Sequence, residues 1–278
     1  MFSKNKKEIK NTKEVTKDFK RLVVISDLHC GNRIGLTPTD WQWDEKNEVR
    51  KPFAIIQKKM WNWYIEEMKK LQPIDILIIN GDALDGKGER SGGTELLESD
   101  RHLQVDMAKE CVQVAKAKEI IVMKGTAYHV GDDEDYEGVL ADLLGTKHYH
   151  DHLDNLIING LKFDVRHHVG GTQVPYARHT AINRDLVWNM LKSIEYNESP
   201  ADVIIRSHVH FFAQSSSFGK YTFITPALQG PGSKYGATRC SGMVDIGFLS
   251  FDIKNKDEFG WTRHIMQQKF MRKDPLLL

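Results

Sequence analysis

Short apolar runs alternate with longer amphipathic segments along most of the chain. Runs rich in Val, Ile and Leu predict buried strands over residues 21–26, 75–80, 119–124 and 202–206. Apolar side chains recur every three or four residues over 53–71, 96–117 and 180–196, which predicts amphipathic helices. Strands that alternate with helices in this way are typical of an α/β fold.

The pattern changes in the second half of the chain. A short helix is predicted over 136–144, closed by Gly145. Asn159-Gly160 stands between two apolar runs, which is a strong signal for a β-hairpin. Further strands are predicted over 223–225 and 243–253, so hairpins are expected to extend the sheets that the first half begins.

Residues of the kind that bind transition metals follow several of the predicted strands. Ligand-binding groups in open α/β sheets gather where the strands end at their carboxyl side, so these residues are expected to converge. Imidazole together with carboxylate is a donor set that suits transition metals. In chain order, the residues concerned are Asp27, His29, Asp82, His129, His167, His168, His208 and His210.

This series of motifs, D-x-H, G-D, G-x-x-x-H, H and x-H-x-H, resembles that of the calcineurin-like metallophosphoesterases, which hydrolyse phosphate esters at a binuclear metal site. The resemblance extends from about Arg21 to about Phe211. Two blocks depart from the family pattern. Thr126 stands where the family commonly has Asn, and His129 follows two residues later than the family's His. Ser207 stands where the family commonly has Gly.

The resemblance implies an α/β fold of two packed, mixed β-sheets flanked by helices, which makes a four-layer sandwich. It implies a hydrolase that uses a hydroxide held at a binuclear centre of two divalent metal ions. Mn is the first expectation for these ions, with Fe, Zn, Ni or Mg as alternatives. A non-catalytic binding scaffold of the same fold is the competing interpretation, and the complete series of candidate ligands favours an enzyme.

The ligand roles follow from the family's motif order. Asp82 would bridge the two ions, and Gly81 before it leaves them room because it has no side chain. His167 and His168 cannot both face inward on one strand, and His167 is favoured because it shares its parity with the apolar residues before it. The other implied ligands are Asp27, His29 and His210 for one ion and His208 for the second.

His129 and Thr126 remain open because they lie in the block that departs from the pattern. His129 can take the place of the family's general acid, which protonates the leaving oxygen. It can instead replace the missing Asn as a ligand, or simply close a loop before Gly131. Thr126 can offer its hydroxyl to a metal or only support the turn.

The substrate is expected to be a phosphate ester, and a nucleotide or nucleic-acid phosphodiester is favoured. This preference rests on Trp41 and Trp43 in an insertion over 32–71, where aromatic rings can stack on a base. Packing within the insertion is the alternative for both rings. Arg178 is a candidate clamp for a substrate phosphate. A phosphoprotein phosphatase and a small-monoester phosphatase are the alternative activities.

Composition fits a single enzyme domain over residues 21–278, preceded by a polar tail over 1–20. The 278 residues are 40% hydrophobic and 28% charged, and the net charge of +1 argues against long duplex DNA as a partner. Three Cys are too few for a disulfide framework. The sequence shows neither a secretory signal nor an apolar run of membrane-spanning length, so a cytoplasmic enzyme is expected.

Two further segments attract attention by their composition. His148, His150 and His152 alternate, and on one strand they would share a face. They lack a matching distant pair of ligands, so a solvated strand or loop is favoured over a second zinc site. The Gly-rich segment 229–236 has no phosphate-loop pattern and is predicted to be a loop at the rim of the site.

Overall fold

Eleven strands form two mixed β-sheets in the computed structural model, which describes residues 18–130, 134–240 and 242–267. The first sheet has the order β11-β10-β1-β2-β3-β4, and the second has the order β5-β6-β7-β9-β8. The strands are β1 Lys20–Ile25, β2 Ile76–Asn80, β3 Glu119–Met123, β4 Tyr149–His150, β5 His152–Ile158, β6 Leu161–Arg166, β7 Val203–Arg206, β8 Ala213–Ser217, β9 Lys220–Ile224, β10 Gly247–Ile253 and β11 Phe259–Ile265.

Three long helices cover the outer faces of the sheets, and three short ones lie in the connections. Amphipathic stripes explain the long ones, since each buries one side of its surface. The helices are α1 Lys51–Leu71, α2 Arg101–Gln113, α3 Ala127–Val130, α4 Tyr136–Leu144, α5 Thr180–Glu195 and α6 Lys234–Arg239.

The layers follow from which face of each strand is apolar. Alternate residues of β1 and β2 face opposite ways, so Val23 and Ile79 pack against α1, α2 and α4. Val24 and Ile78 face the second sheet and meet Phe163 and its neighbours there. On the far side, α5 packs against the second sheet. The order is therefore helices, sheet, sheet, helix, which confirms the predicted four-layer fold.

Parallel pairing brings the predicted metal-binding segments to common edges. Strands β1, β2 and β3 run parallel to one another, and so do β6, β7 and β9. The backbone N–H of Asp27 donates to Gly81 O, and that of Ser207 donates to His167 O. These hydrogen bonds continue the strand pairing into the loops, so the motif that follows each strand is fixed against its neighbour.

Most predicted elements are confirmed, and the differences have local causes. The second predicted helix begins at Arg101 rather than at residue 96, because the Asp100 side chain accepts the His102 backbone N–H and caps it there. The last predicted strand begins at Gly247 rather than at residue 243. The Asn159-Gly160 hairpin is confirmed, with both residues at positive φ.

The alternating histidines do not share a strand. His150 belongs to β4 in the first sheet, whereas His152 begins β5 in the second and lies 3.0 Å from Asp164. The Gly-rich segment contains the start of α6, capped by the Ser233 side chain. The described part of the chain contains no helix long and apolar enough to cross a membrane. Most of the predicted tail, residues 1–17, lies outside the described residues.

Candidate metal centre

Five of the candidate ligands have left-handed backbone conformations. Asp27, His29, Asp82, His208 and His210 have φ between 45° and 76°. Residues other than Gly rarely adopt this region, and each instance costs on the order of 1 kcal/mol or more. The chain turns sharply directly after β1, β2 and β7, and these turns aim the side chains of both sheets toward one another. Such clustered strain is typical of functional sites.

Asp27, His29 and His210 form a first group of convergent ligand atoms. Oδ1 of Asp27 lies 3.2 Å from Nε2 of His210 and 4.0 Å from Nε2 of His29. All three side chains are buried, with at most 3% of each side chain exposed. The structure therefore brings together the three ligands that the sequence assigned to one ion.

Asp85 and Asn32 support His29 from behind. Nδ1 of His29 donates to Oδ1 of Asp85 over 3.2 Å, which leaves Nε2 directed at the cluster. The Asn32 side chain donates to the other carboxylate oxygen of Asp85 over 3.1 Å. A carboxylate behind a histidine fixes its tautomer and ring orientation, as is usual around metal ligands.

Asp82, His167 and His208 form the second group. Oδ2 of Asp82 lies 3.0 Å from Nε2 of His167 and 3.9 Å from Nδ1 of His208. Thr126 donates to the same carboxylate, through its backbone N–H at 2.7 Å and its hydroxyl at 3.1 Å. Thr126 thus holds Asp82 in place.

The neighbouring histidines 167 and 168 have different environments. His167 is buried, and its Nδ1 donates to the Asn80 carbonyl over 2.7 Å, so Nε2 faces Asp82. His168 is exposed and lies over the ring of His208, with the centroids 4.9 Å apart. It belongs to none of the groups of convergent ligand atoms among the described residues.

Two glycines leave the space that the second group occupies. A Cβ at Gly81 would lie 2.5 Å from Nδ1 of His167, and Gly81 also has a φ of 80°. A Cβ at Gly125 would overlap the carboxylate and backbone of Asp82. Any side chain at either position would displace a candidate ligand, which is the physical reason for Gly in both motifs.

The charges of the two groups depend strongly on each other. Burial raises the pKa of Asp27, but the charge of His210 outweighs it and holds the pKa at about 2. Burial likewise opposes ionisation of Asp82, yet His167 and His129 keep its pKa well below the ordinary value. Burial, together with the charge of His129, lowers the pKa of His29. Ionised carboxylates and a neutral imidazole are the forms that bind metal.

His167 differs from His29 in the direction of its pKa shift. Burial alone would lower its pKa, but the carboxylate of Asp82 raises it to about 10. Nε2 of His167 and Oδ1 of Asp27 are nevertheless buried atoms without an aligned hydrogen-bond partner among the described residues. Buried polar atoms are rarely left so. Orphaned atoms inside a carboxylate–imidazole set are what a divalent transition-metal ion would satisfy.

Glu137 is a buried acid that the sequence analysis missed. It accepts hydrogen bonds from the backbone N–H groups of Ala83 and Gly125, which follow β2 and β3. Burial and the charge of Asp82 raise its pKa to about 7. Glu137 lies on α4, and its distance along the sequence from the metal-binding motifs gives no indication that it reaches the site. It ties together the loops that position Asp82.

His129 stands over the second group from the edge of the site. Its Nδ1 donates to the backbone carbonyl of Asp85 over 2.8 Å, and its Nε2 lies 4.0 Å from Oδ2 of Asp82. Its ring meets that of His29 edge-on, with the centroids 4.6 Å apart. Nε2 is therefore on the side of the ring toward Asp82.

A cavity of about 360 Å³ opens above these residues. Tyr235 stands on its wall, with its ring centroid 5.0 Å from that of His210 and its hydroxyl donating to the His208 carbonyl. Lys234 and Arg239 bring positive charge to the same wall. The rest of the lining is polar or aromatic, and it includes Asn32, Ser91, Glu95, Thr126, Tyr128, Gln229, Ser233 and Thr238.

The three predicted substrate-binding residues lie outside this lining. Trp41 packs against the core beneath α1 and donates to Glu110 from its indole N–H. Trp43 packs edge-on against Phe53. The Arg178 guanidinium lies over the ring of Phe211, 4.4 Å from its centroid. The insertion reaches the site through Asn32 instead, because only its first residues leave the strand end beside the cluster.

No protein-family model matches the chain, and no curated protein matches its sequence. Similar solved structures include Vps29 from Entamoeba histolytica with bound Zn²⁺ (TM-score 0.48, 15% identity, covering 90% of this chain and 94% of that one). They also include an archaeal phosphodiesterase (TM-score 0.43, 16% identity, covering 88% of this chain and 99% of that one). A third is a predicted phosphoesterase from Streptococcus pneumoniae (TM-score 0.36, 11% identity, covering 88% of this chain and 98% of that one).

Similarity at this level carries no information about the substrate, since one fold hosts many functions. The layer order and the motifs at the strand ends are features of this chain itself. The two-sheet fold agrees with the fold that the motif resemblance implies, and the strand ends present Asp and His in the order of those motifs.

Proposed function

We propose that this protein is a metal-dependent hydrolase of phosphate esters that holds two divalent cations. The observation that carries the proposal is the meeting of two carboxylate–imidazole groups beneath one cavity. The two groups adjoin each other, as a hydrogen bond between them shows: the backbone N–H of His208, in the second group, donates to Oδ2 of Asp27, in the first, over 3.3 Å. Two cations held there would lower the pKa of water and neutralise the oxygens of a bound phosphate.

The chain's own residues hold and orient the ligands. Asp82 would be the shared ligand, as the motif resemblance implies, and Thr126 together with the loops tied by Glu137 would fix its carboxylate. His167, rather than His168, would complete the second group. Imidazole and carboxylate donors suit Mn, Fe, Zn and Ni, whereas Mg prefers oxygen ligands alone. Mn remains the first candidate.

His129 would act on the leaving group. Its Nδ1–H is held by the Asp85 carbonyl, so any second proton must lie on Nε2, which faces the cavity. A proton at that position can pass to the oxygen that leaves phosphorus. The same hydrogen bond leaves Nε2 free to bind a cation when the ring is neutral. The two roles differ in how strongly the turnover of a His129 variant depends on the leaving group of the ester.

The size and charge of the cavity favour a small phosphate ester. A volume of about 360 Å³ accommodates a small molecule, and Lys234 and Arg239 can attract its negative charge. The stacking argument for a nucleotide loses its basis, because Trp41 and Trp43 lie elsewhere. Tyr235 and Tyr128 are the tyrosines that line the cavity. Small diesters and monoesters are therefore the substrates to test first.

The test is a metal-supplemented activity panel. The metal-free protein is loaded with Mn²⁺, Zn²⁺, Fe²⁺, Ni²⁺ or Mg²⁺ and assayed on bis-p-nitrophenyl phosphate, p-nitrophenyl phosphate, a nucleotide and a phosphopeptide. The proposal expects metal-dependent hydrolysis of at least one ester. Full metal loading without turnover on any substrate would favour the non-catalytic scaffold.

The adjacent histidines provide a matched control. His167→Ala should lose bound metal and turnover, because it removes a buried ligand. His168→Ala should keep its metal, because that ring is exposed outside both groups. Equal metal loss in both variants would contradict the assignment of His167.

A further inference from the structure

Helix α5 exposes an apolar stripe on the side that faces away from the sheet. Val187 and Leu191 are each 50% exposed, Trp188 is 56% exposed and Ile194 is 77% exposed. The inner side of the same helix is already buried, through Ile182 and Leu186 against the second sheet. The outer stripe is therefore additional to what the fold needs.

The spacing of these residues places them side by side. Positions 187, 191 and 194 follow the i, i+4, i+7 pattern of one helix face, and position 188 adjoins it. Isolated exposed apolar side chains are ordinary, but a contiguous stripe marks a surface that binds something. Its linear shape suits another helix.

Opposite charges stand at the two ends of this stripe. Arg184 and Glu195 are both exposed, and they are eleven residues apart, which is about three helical turns. They therefore lie on the same face as Leu191. If a second α5 packs against the first in the antiparallel sense, Arg184 of each copy lies beside Glu195 of the other. The face is complementary to itself.

We propose that the outer face of α5 pairs with α5 of a second copy of this chain, which gives a two-fold symmetric dimer. In this arrangement, Trp188 of each copy packs beside Leu191 of the other, and two Arg184–Glu195 pairs flank the apolar centre. Self-complementary patches of this kind are the basis of isologous dimers. One pair of helices is a small interface, so the dimer is expected to be weak, with a dissociation constant on the order of 10 µM.

The chain's own ends are poorer candidates to cover this stripe. Met266, near the end of the described chain, packs with Met60 and Ile246 in the helical layer on the opposite side of the two sheets. At the other end, Asp18 pairs with Lys254 beside the β10–β11 turn. The sequence before Asp18 is mostly polar and rich in Lys.

The test is the mass of the full-length protein as a function of concentration. Sedimentation equilibrium from about 1 to 300 µM should show a monomer–dimer equilibrium. Leu191→Ser should weaken dimerisation at least tenfold with an unchanged fold. Arg184→Glu should also weaken it at least tenfold, because like charges would then meet, and Arg184→Glu combined with Glu195→Arg should restore it. Lys192→Glu, the matched control beside the stripe, should leave it unchanged.

Three outcomes would overturn the proposal. The first is a monomer throughout the concentration range with Trp188 open to hydroxyl-radical footprinting. The second is a monomer with Trp188 protected, which would mean that the chain covers its own stripe. The third is a dimer that ignores both Leu191→Ser and the charge reversal at Arg184, which would mean that another surface forms it.

Discussion

Nε2 of His29 lies 3.2 Å from Nε2 of His210, with the ring planes inclined by 53°. Nδ1 of His29 is engaged with Asp85, so its neutral ring presents a lone pair toward His210. Two imidazole nitrogens that bind one Zn²⁺ at about 2.1 Å and a tetrahedral angle are about 3.4 Å apart. The observed separation therefore suits two ligands of one cation, and the following predictions test this centre and its surroundings.

Asp82→Asn should lower the bound metal by at least one ion per chain and nearly abolish hydrolysis. The substitution removes the negative charge of the carboxylate that we propose to bridge the two ions, while Thr126 can still bond to the amide oxygen. Metal is measured by mass spectrometry of the dialysed protein and turnover on the best ester of the panel. An Asn variant with full metal content and normal turnover would exclude a bridging role.

His129→Ala should lower turnover about 10²–10⁴-fold on esters with poor leaving groups, the usual scale for a general acid. The loss should be much smaller for p-nitrophenyl esters, whose leaving group needs no proton. Metal content should stay unchanged. The measurement is kcat across a series of leaving groups. A loss of equal size on every ester, accompanied by loss of metal, would instead identify His129 as a ligand.

Glu137→Ala should destabilise the protein by about 2–6 kcal/mol, because it leaves the buried N–H of Ala83 and the half-buried N–H of Gly125 unpaired, at about 1–3 kcal/mol each. It should also weaken metal binding, since these N–H groups belong to the loops beside Asp82. Asp142→Ala is the control, as that acid is exposed on the same helix. Denaturant unfolding and metal titration give the two readouts. A Glu137→Ala variant as stable as the control would refute this role.

Gly81→Ala should abolish tight metal binding. The new methyl group would stand 2.5 Å from the His167 ring, in addition to the strain of a φ of 80°. Gly145→Ala isolates the strain, because Gly145 has a φ of 70° and nothing within 4 Å of its Cβ position. The control should lose only about 1 kcal/mol of stability. Equal metal affinity in both variants would show that the close approach at Gly81 has no consequence.

Asp164 should contribute a pH-dependent part of the stability. Burial opposes its ionisation, but hydrogen bonds from His152 and Arg206 lower its pKa. Its contribution is therefore present above the unfolded pKa of about 4 and is lost as pH falls below it. Asp164→Asn should be less stable at pH 7 and show a shallower loss of stability between pH 4 and pH 2. Parallel stability curves for the two proteins would contradict this.

The sequence predicts the parts of the site that follow from strand order. Asp27 and Asp82 directly follow apolar runs, so parallel pairing alone brings them to one edge. His167 could be preferred over His168 by strand parity, because β6 keeps its alternation up to Arg166. Local pattern was sufficient to predict that a candidate ligand joins the cluster wherever that residue adjoins a regular strand.

Contacts that depend on packing between distant segments could not be predicted in this way. Glu137 reaches its partners from α4, whose own pattern shows only an ordinary amphipathic helix. The tryptophans of the insertion suggested a substrate wall, yet Trp41 is half-buried and packs against the core outside the cavity lining. Tyr235 stands over the site because Ser233 starts a short helix in a segment that predicted a loop.

The candidate ligands are divided between the two sheets, Asp27 and Asp82 after β1 and β2, His167 and His208 after β6 and β7. The packing of the core between the sheets therefore sets how far the carboxylates of one sheet stand from the imidazoles of the other. Phe251 packs edge-on against both Phe163 and Phe223 in that core, with ring centroids 5.8 Å and 5.3 Å apart. Replacing Phe251 by a smaller residue would leave a cavity in this core, and any movement of one sheet toward the other would change the distances between the candidate ligands of the two sheets.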